Sequence, residues 1–463
     1  MAFKKFVSVE AKLNAIREDE WTKKQPFTIF RVPDYVRESN RTAYEPRMVS
    51  IGPYYHGRHA LRAMEDHKWR YLNDLLGRYH RGDDATVSML LEEMRGLKAQ
   101  ALACYSERPD DSDDDFFAQM LLLDGCFILE FFLKFDKDDT DELCDVDWGV
   151  TLISADLALL ENQIPFFVLE KLFGIVAGAQ GDKEFLVNLI AEYIGDKKPI
   201  KRPSGVWEVH HLLHLYYECY VPKRPTKPKQ EVIVRITPDA TKLDEAGVTF
   251  VDKQNVALAR FYERFMPKRT QPLIRPTKTI PRATELLVAG VTFVLGSAEP
   301  EHRFDVTFDR RSGVMKIPVI EIDDMKRPLL VNVMAFEQTL GRKEPGLLTS
   351  YVALMSDLIV TARDVALLRR QRILESLLAD DDVAARFFSR LGEGTAMDYE
   401  HQEFAGLYEE VRRYCDSRWH RYRATLHSDY FSNPWSSISV VAATLLVILT
   451  ITQTYFAVYP SKN

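Results

Sequence analysis

The last hydrophobic stretch of the chain is the feature that most constrains its fold. Residues 435–459 read WSSISVVAATLLVILTITQTYFAVY and contain no charged side chain. As a helix this stretch would be roughly 37 Å long, at about 1.5 Å per residue, and a bilayer hydrocarbon core is about 30 Å thick. Trp435, Tyr455 and Tyr459 lie near its ends, where amphipathic aromatic side chains prefer the headgroup region. The pattern predicts a transmembrane helix over 435–459, with a buried C-terminal core helix as the alternative.

Charge on either side of this segment predicts its orientation. Five arginines precede it and one lysine follows it; the arginines are Arg412, Arg413, Arg418, Arg421 and Arg423. Because basic residues stay on the cytoplasmic side, we expect a cytosolic head and a short tail facing the lumen or the exterior. The N-terminal residues contain no apolar run of signal-peptide length. We therefore expect a single-pass, tail-anchored protein of the plasma membrane or an endomembrane.

Composition limits the classes of protein and partner. The chain has 463 residues, of which 46% are hydrophobic, and this is enough for two or three packed units. The net charge of −7 gives no general electrostatic reason to expect nucleic acid as a partner. The five cysteines are scattered without a CxxC pair, which is typical of a reduced compartment. The expected partners are the lipid bilayer and an unidentified protein, and the oligomeric state is left open.

The patterns predict a mainly α-helical head with a small β-hairpin or sheet, plus the C-terminal transmembrane helix. Residues 1–27 contain a charged helix, and 28–221 form the first part of a helical core. Within it, TIFRV and RMVSI favour short extended pieces, and Pro165 interrupts a helical pattern. Helices are expected over 60–79, 85–105, 116–135, 151–174 and 207–221. The helix at 116–135 is apolar on nearly every side, so Asp124 within it needs a partner, such as an arginine or a helix N-terminus.

The second part of the head follows a change in composition. Residues 222–281 form a basic, proline-rich loop that contains DATKLDEAGVTFV, nearly repeated as RATELLVAGVTFV over 282–294. Each copy is typical of a helix, a glycine stop and a strand. Residues 282–430 complete the head as an α+β unit. Their clearest feature is HRFDVTFDRRSGVMKIPVIEID, which predicts a hairpin that turns between Asp309 and Gly313.

Three groups of polar residues are candidates for chemistry. His210 and His214 have the spacing of a zinc pair on one helix face, but packed core histidines are the stronger interpretation. His56, Glu65, Asp66 and His67 could perform acid–base chemistry, although surface and turn roles are commoner. The acidic run 110–115 lacks the pattern of a calcium loop and suits a helix start. The chain also lacks GxSxG, P-loop, HExxH and dinucleotide motifs. We therefore assign no catalytic, cofactor-binding or metal-binding residue.

Seven segments, in this order along the chain, resemble motifs of the plant family known as domain of unknown function 247. They are IFRVPDYVRESNRTAYEPRMVSIGPYYHG, LRAMEDHKWRYL, FFAQMLLLDGCFILEFF, DLALLENQIPFFVLEKLF, IPRATELLVAGVTF, FDVTFDRRSGVMKIPVIEID and VNVMAFEQ. The resemblance covers about 28–460. Two departures are Tyr55, where the opening motif often has histidine, and the first GVTF copy, which resembles an insertion. The first departure argues against a special role for a histidine pair around His56.

The resemblance implies a plant-specific, membrane-associated protein without an assigned enzymatic reaction. It also implies, for some grass members, a pollen-side role in self-incompatibility. Together with the residue patterns it predicts a membrane-anchored protein that works by protein–protein recognition, in plant signalling or self-incompatibility. The alternative is a membrane-anchored enzyme, similar to a hydrolase, with its site near 49–57.

Overall fold

The structure, a computed structural model, describes nine stretches of the chain. These are residues 27–79, 84–107, 114–178 except 138, 140, 142 and 144, 181–195, 208–222, 279–341 except 298, 300, 301 and 325, 346–393, 402–416 and 444–450. Three predictions therefore lie wholly or mostly outside the described residues. They are the N-terminal charged helix, the proline-rich loop with the first repeat, and most of the 435–459 segment.

The first part of the head is helical, as the periodicity predicts. Two short helices and a single 3₁₀ turn (His59–Leu61) precede the longer ones: α1 Asp34–Ser39, α2 Arg41–Tyr44, α3 Ala63–Arg78, α4 Asp84–Ala103, α5 Asp114–Asp136, α6 Asp147–Leu157, α7 Phe166–Ala177, α8 Lys183–Ile194 and α9 Leu212–Tyr220. The interruption predicted at Pro165 is confirmed, because α7 begins at the following residue. Among the described helices, the Asp115–Asp136 part of α5 is long and apolar enough to cross a bilayer. However, 89% of its most apolar 18-residue stretch is buried inside the head. This burial confirms α5 as the central core helix.

Three details of this region differ from the predictions. The RMVSI segment forms no strand, because its amides donate to buried side chains rather than to another strand. The helix expected from Trp207 begins only at Leu212, where the ring of His211 caps it. In the helix predicted over 60–79, apolar spacing places Trp69 near the same face as Met64 and Leu72, but Trp69 is 48% exposed and Tyr71 is buried instead. A pattern of apolar spacing does not distinguish these two aromatic residues, because both lie near the edge of the apolar stripe.

The second part combines a small sheet with further helices. Its elements are α10 Ala283–Val288, β1 Thr292–Leu295, β2 Thr307–Asp309, β3 Val314–Ile317, β4 Ile320–Ile322, α11 Lys326–Thr339, α12 Leu347–Leu358, α13 Ala362–Arg370, β5 Leu374–Ser376, α14 Asp381–Gly392 and α15 Ala405–Asp416. The predicted hairpin is confirmed as the antiparallel pair β2–β3, with Phe308 opposite Met315. The helix–glycine–strand reading of 282–294 is also confirmed, with Gly290 at φ +94° between α10 and β1.

The sheet topology goes beyond the hairpin. Strand β1 pairs in parallel with β3, giving the order β1-β3-β2. A separate parallel pair joins β4 to β5, with Ile320 opposite Leu374. The strand β5 was not predicted, because its three residues lie within the sequence RRQRILESLLADD, which reads as continuous helix. The mainly helical class with a small sheet element is confirmed.

Buried hydrophobic side chains form two clusters. One is built mainly from α3 to α8, with α5 at its centre. The other surrounds the sheet and α11 to α15, and it also includes Val32, Leu160 and Leu213 from the first part. Asn332, which is fully buried on α11, joins the two parts: its amide donates to the carbonyl of Ala43 at 2.7 Å and accepts from the N–H of Leu160 at 2.8 Å. The described residues of both parts belong to one compact unit.

Only part of the predicted transmembrane segment is described. Residues 444–450 are helical, and the side chains of Leu445 to Leu449 are 53–64% exposed. The rest of 435–459 lies outside the described residues. The transmembrane helix therefore stays a prediction.

Candidate functional site

The loop at 47–57, which contains the segment proposed for an enzyme site, is held from behind by buried side chains. Asp156, in the last turn of α6, accepts the amide N–H of Arg47 at 3.0 Å, of Met48 at 2.7 Å and of Val49 at 2.8 Å. The carboxylate is only 1% exposed. Burial raises the pKa of Asp156 to about 6, although the three amides favour its charged form. Asp156 therefore replaces the strand partner that RMVSI lacks.

Two amides that follow α6 continue this arrangement. Asn162 accepts the amide N–H of Ile51 at 2.7 Å and donates to the carbonyls of Val49 and Asp156 at 3.0 and 2.9 Å. Gln163 donates to carbonyls within its own turn and accepts the N–H of Leu213 at 3.1 Å. Both N–H groups and the oxygen of the Asn162 amide are thus bonded to main-chain groups.

An ion pair lies beneath the next residue of the loop. Lys68 and Asp124 are 0% and 1% exposed, and the distance from Nζ to Oδ1 is 2.6 Å. The other oxygen of Asp124 accepts the N–H of Gly52 at 2.7 Å, and Glu65 lies 2.7 Å from Nζ. Burial lowers the pKa of Lys68, but the carboxylates of Asp124 and Glu65 outweigh it and hold the pKa above its ordinary value. Asp124 therefore has a lysine as its partner, not the arginine or helix N-terminus expected from the sequence.

A third buried carboxylate holds the end of the loop. Glu161 accepts from the guanidinium of Arg37, from the hydroxyl of Tyr55 and, at 2.6 Å, from the amide N–H of Val32. Arg37 also donates to the Tyr55 hydroxyl at 3.0 Å. Tyr55 is fully buried. The residue that departs from the family motif thus has a structural role in this chain.

These contacts do not build a hydrolytic centre. Ser50, the hydroxyl residue of the loop, is 1% exposed. The lysine beside it donates to the Ser50 carbonyl at 2.7 Å and stays protonated, so it is not a base for that hydroxyl. The acid–base candidates also have separate surroundings: His56 packs edge-on against Phe116 at 4.8 Å, and Glu65 faces Lys68. Asp66 is exposed, and His67 lines a different cleft.

The histidines at 210–214 form a packed cluster. The His211 ring is completely buried, and burial lowers its pKa to about 3, so it is neutral. Its Nδ1 accepts the N–H of His214, so Nε2 carries the proton and donates to the carbonyl of Thr28 at 2.9 Å. The rings of His210 and His214 lie 4.9 Å apart, and Nδ1 of His214 accepts the N–H of His210. In the part of the chain that the structure describes, no group of three His, Cys, Asp or Glu residues could hold a metal ion.

An open cleft of about 400 Å³ lies beside α3. At its floor, Lys134 of α5 donates to Asp74 at 2.8 Å and to Asp141 at 2.7 Å. The ammonium group also lies 4.5 Å from the centre of the Tyr71 ring. Burial lowers the pKa of Lys134, but the bonds with the two aspartates outweigh it and raise the pKa above its ordinary value. This cleft combines an accessible volume with polar side chains.

Sequence reasoning missed most of these positions. In the sequence, Glu161, Asn162 and Gln163 stand only as a polar triplet before Pro165, and nothing local singles out Lys68, Asp156 or Lys134. One signal was available. Burying three consecutive polar residues between apolar helices costs free energy unless each of them finds a hydrogen-bond partner. The partners lie far away in the chain, so no local pattern identifies them.

Comparison with known proteins gives the same assignment as the motifs. Residues 29–449 match a family described as plant protein of unknown function, domain of unknown function 247. The chain is 28% identical to UPF0481 protein At3g47200 of Arabidopsis thaliana, over 95% of this chain and 88% of the relative. It is 24% identical to putative UPF0481 protein At3g02645 of the same plant, over 98% and 94% of the two chains. No solved structure matches the chain. The chain belongs to the plant family of domain of unknown function 247.

Proposed function

We propose that this protein is a membrane-anchored recognition protein, whose head binds a protein partner while residues 435–459 cross the bilayer. The observation that carries the proposal is the uncharged 435–459 segment. Its described part supports the same reading, because the side chains of Leu445 to Leu449 are more than half exposed. Exposing five consecutive apolar residues to water is unfavourable, and lipid removes this cost.

An interaction role is favoured over catalysis by the interior of the head. Around the 47–57 loop, the charged and amide side chains are bonded to main-chain groups or to each other. Such groups stabilise a fixed loop, and they are not free to bind a substrate or transfer a proton. Tethering would raise the concentration of the head near a bilayer partner, so modest affinity suffices. In the self-incompatibility role, the exposed positions of the head would vary between alleles.

The anchor is tested by comparing the full chain with one truncated after Asn433. The proposal expects the full chain in the membrane fraction after alkaline carbonate extraction, and the truncated chain in the supernatant. Proximity labelling with the full chain should then identify reproducible membrane protein partners. Equal distribution of the two chains between fractions contradicts the anchor, and an absence of reproducible partners contradicts the recognition role.

A test of the orientation of the head needs a glycosylation sequon that is exposed on the surface. The natural sequon at Asn40 is a poor reporter, because Asn40 is 3% exposed and its amide donates to the carbonyl of Arg390 at 2.7 Å. Arg310, in the exposed turn of the β2–β3 hairpin, is better placed. The variant Arg310→Asn creates an acceptor sequence with Arg311 and Ser312. For a cytosolic head we expect this variant to gain no glycan, whereas a glycosylation tag added after residue 463 gains one. The reverse result would place the head in the lumen.

A further inference from the structure

The cleft beside α3 has the features of a small-molecule site. Its volume of about 400 Å³ lies within the range of roughly 300–1,000 Å³ that is typical of ligand pockets. One side is formed by α3, and the other by the end of α5 and the residues that follow it. None of its lining residues belongs to the 47–57 loop.

The floor of the cleft carries a fixed set of charges. The side chain of Lys134 is 7% exposed, and its ammonium group is shared between Asp74 and Asp141. Oδ1 of Asp141 is also used, since it accepts the N–H of Leu143 at 3.0 Å. Asp74 is more open, with 41% of its side chain exposed. The described lining residues include two basic side chains, Arg70 and Lys134, and two acidic ones, Asp74 and Asp141, so neither sign of charge dominates among them.

The walls of the cleft combine aromatic surface with hydrogen-bonding groups. Trp69 is 48% exposed and lines the cleft, so its indole offers apolar surface there. Asn73 on the same helix is exposed and offers an amide donor and acceptor. His67 also lines the cleft.

We propose that this cleft binds a neutral saccharide. A sugar ring has an apolar C–H face that packs on an indole, and hydroxyl groups that donate to a carboxylate and accept from an amide or a guanidinium. Trp69 supplies the stacking surface, Asp74 the acceptor, and Asn73 and Arg70 the donors. An anionic ligand would meet two carboxylates with the floor ammonium already paired, and a cationic ligand would compete with Lys134 for both aspartates. This proposal does not depend on the membrane anchor.

Binding is tested by isothermal titration of the purified full chain with maltose, cellobiose, xylobiose and mannobiose, with glucuronate as an anionic comparison. The protein is kept in a zwitterionic detergent, because an alkyl glycoside would itself compete for the cleft. The expected result is saturable binding of at least one neutral disaccharide. Trp69→Ala should weaken this binding by about tenfold or more, because the stacking surface is removed. Asp74→Asn should weaken it as well while keeping the shape of the side chain.

The matched control is Trp148→Ala, which removes a tryptophan of similar exposure (59%) that does not line the cleft. This variant should bind the disaccharide with unchanged affinity. Circular dichroism and thermal unfolding of each variant show that a loss of binding is not a loss of folding. The proposal is overturned if none of the disaccharides binds, if only glucuronate binds, or if a folded Trp69→Ala variant binds as tightly as the natural chain.

Discussion

At the scale of single residues, the interior of the head depends on charges that are fully removed from water. Lys68, Asp124, Asp156 and Glu161 are each at most 1% exposed, and each faces the 47–57 loop or the residues beside it. A buried charge is tolerated only when its partners are in place, so removing one partner costs more than the pair itself contributes. These residues should therefore be sensitive to substitution although they take part in no assigned reaction.

The substitution Lys68→Met tests this dependence. It leaves the carboxylate of Asp124 buried beside an apolar side chain, and we expect the free energy of unfolding to fall by about 3–5 kcal/mol. The measurement is chemical denaturation of the purified chain. Lys171→Met is the matched control: its partner Glu93 lies 3.1 Å away, but both side chains are more than 40% exposed, so a change below about 1 kcal/mol is expected.

The double variant Lys68→Met with Asp124→Asn separates a lost pair from an orphaned charge. Asparagine removes the charge and keeps an oxygen that can accept the N–H of Gly52, so the double variant should recover a large part of the loss seen with Lys68→Met alone. If the double variant is less stable than the single variant, Asp124 is not strained by the loss of Lys68, and the assigned pairing is wrong.

Asp156 gives a prediction about pH. Its pKa rises from the ordinary value of 3.8 to about 6 in the folded protein, so the neutral form is favoured by folding. The stabilisation that this preference contributes is complete below the ordinary pKa and is lost as the pH rises through about 6. Asp156→Asn cannot ionise, and it places an amide N–H₂ group opposite main-chain N–H donors, a cost that does not depend on pH. As the pH rises from about 4 to about 7, we expect the natural chain to lose roughly 1–3 kcal/mol of stability relative to this variant. The stabilities of the natural chain and of Asp156→Asn are compared by thermal unfolding at pH 4.5, 5.5, 6.5 and 7.5. A difference between the two proteins that does not change with pH would contradict this prediction.

The sequence predicted that Asp124 needs a partner, but not which residue supplies it. The requirement follows from one charge in an apolar helix, which is a local pattern. Lys68 lies on a different helix, where it appears in the charged sequence MEDHKWRYL and has the spacing of a surface residue. Tertiary packing buries it, and tertiary packing cannot be derived from one helix at a time.

At the scale of elements, periodicity located the long helices and failed for the shortest pieces. Helices α3, α4, α5 and α7 begin and end near the predicted residues, because apolar spacing, proline and glycine determine their limits. The extended piece predicted at RMVSI was wrong and the strand at LES was not predicted, because three to five residues carry too little pattern. Whether such a segment becomes a strand depends on a neighbour: Leu374 has Ile320 opposite it, and the 47–51 amides have Asp156 and Asn162.

The contact between α15 and the sheet provides a prediction at this scale. Helix α15 is the last described helix before the 435–459 segment. Tyr414 on this helix contacts the residues of the sheet and of the turn before it. The Tyr414 hydroxyl donates to the carbonyl of Gly290 at 3.0 Å, and its ring packs edge-on against Phe308 at 5.5 Å. Tyr414→Phe keeps the ring and removes the hydrogen bond, so we expect a loss of about 1 kcal/mol in the free energy of unfolding.

The measurement for Tyr414→Phe is the apparent melting temperature, supported by amide hydrogen exchange of α15. The control Tyr35→Phe removes a hydroxyl from a side chain that is 76% exposed, and it should leave both observables unchanged. Equal melting temperatures and equal exchange of α15 in the natural chain and Tyr414→Phe would show that this contact does not hold the helix.

At the scale of the whole molecule, the two parts of the head are joined by shared cores and by Asn332. The mainly helical class and the hairpin could be predicted from periodicity, and the family from its ordered motifs. The α3 cleft could not, since it exists only where Trp69 and Asp74 of α3 face Lys134 of α5 and Asp141. The anchor is a proposal that rests on the composition of 435–459, of which the structure describes only residues 444–450.

The most direct test of the anchor is flotation of the purified chain with phospholipid vesicles on a density gradient. The full chain and the chain truncated after Asn433 are compared at high salt, which screens attraction between basic residues and lipid headgroups. If 435–459 enters the bilayer, the full chain floats with the vesicles and the truncated chain stays at the bottom. If both chains float equally, or if neither floats, the segment does not anchor the protein and a membrane-tethered role is contradicted.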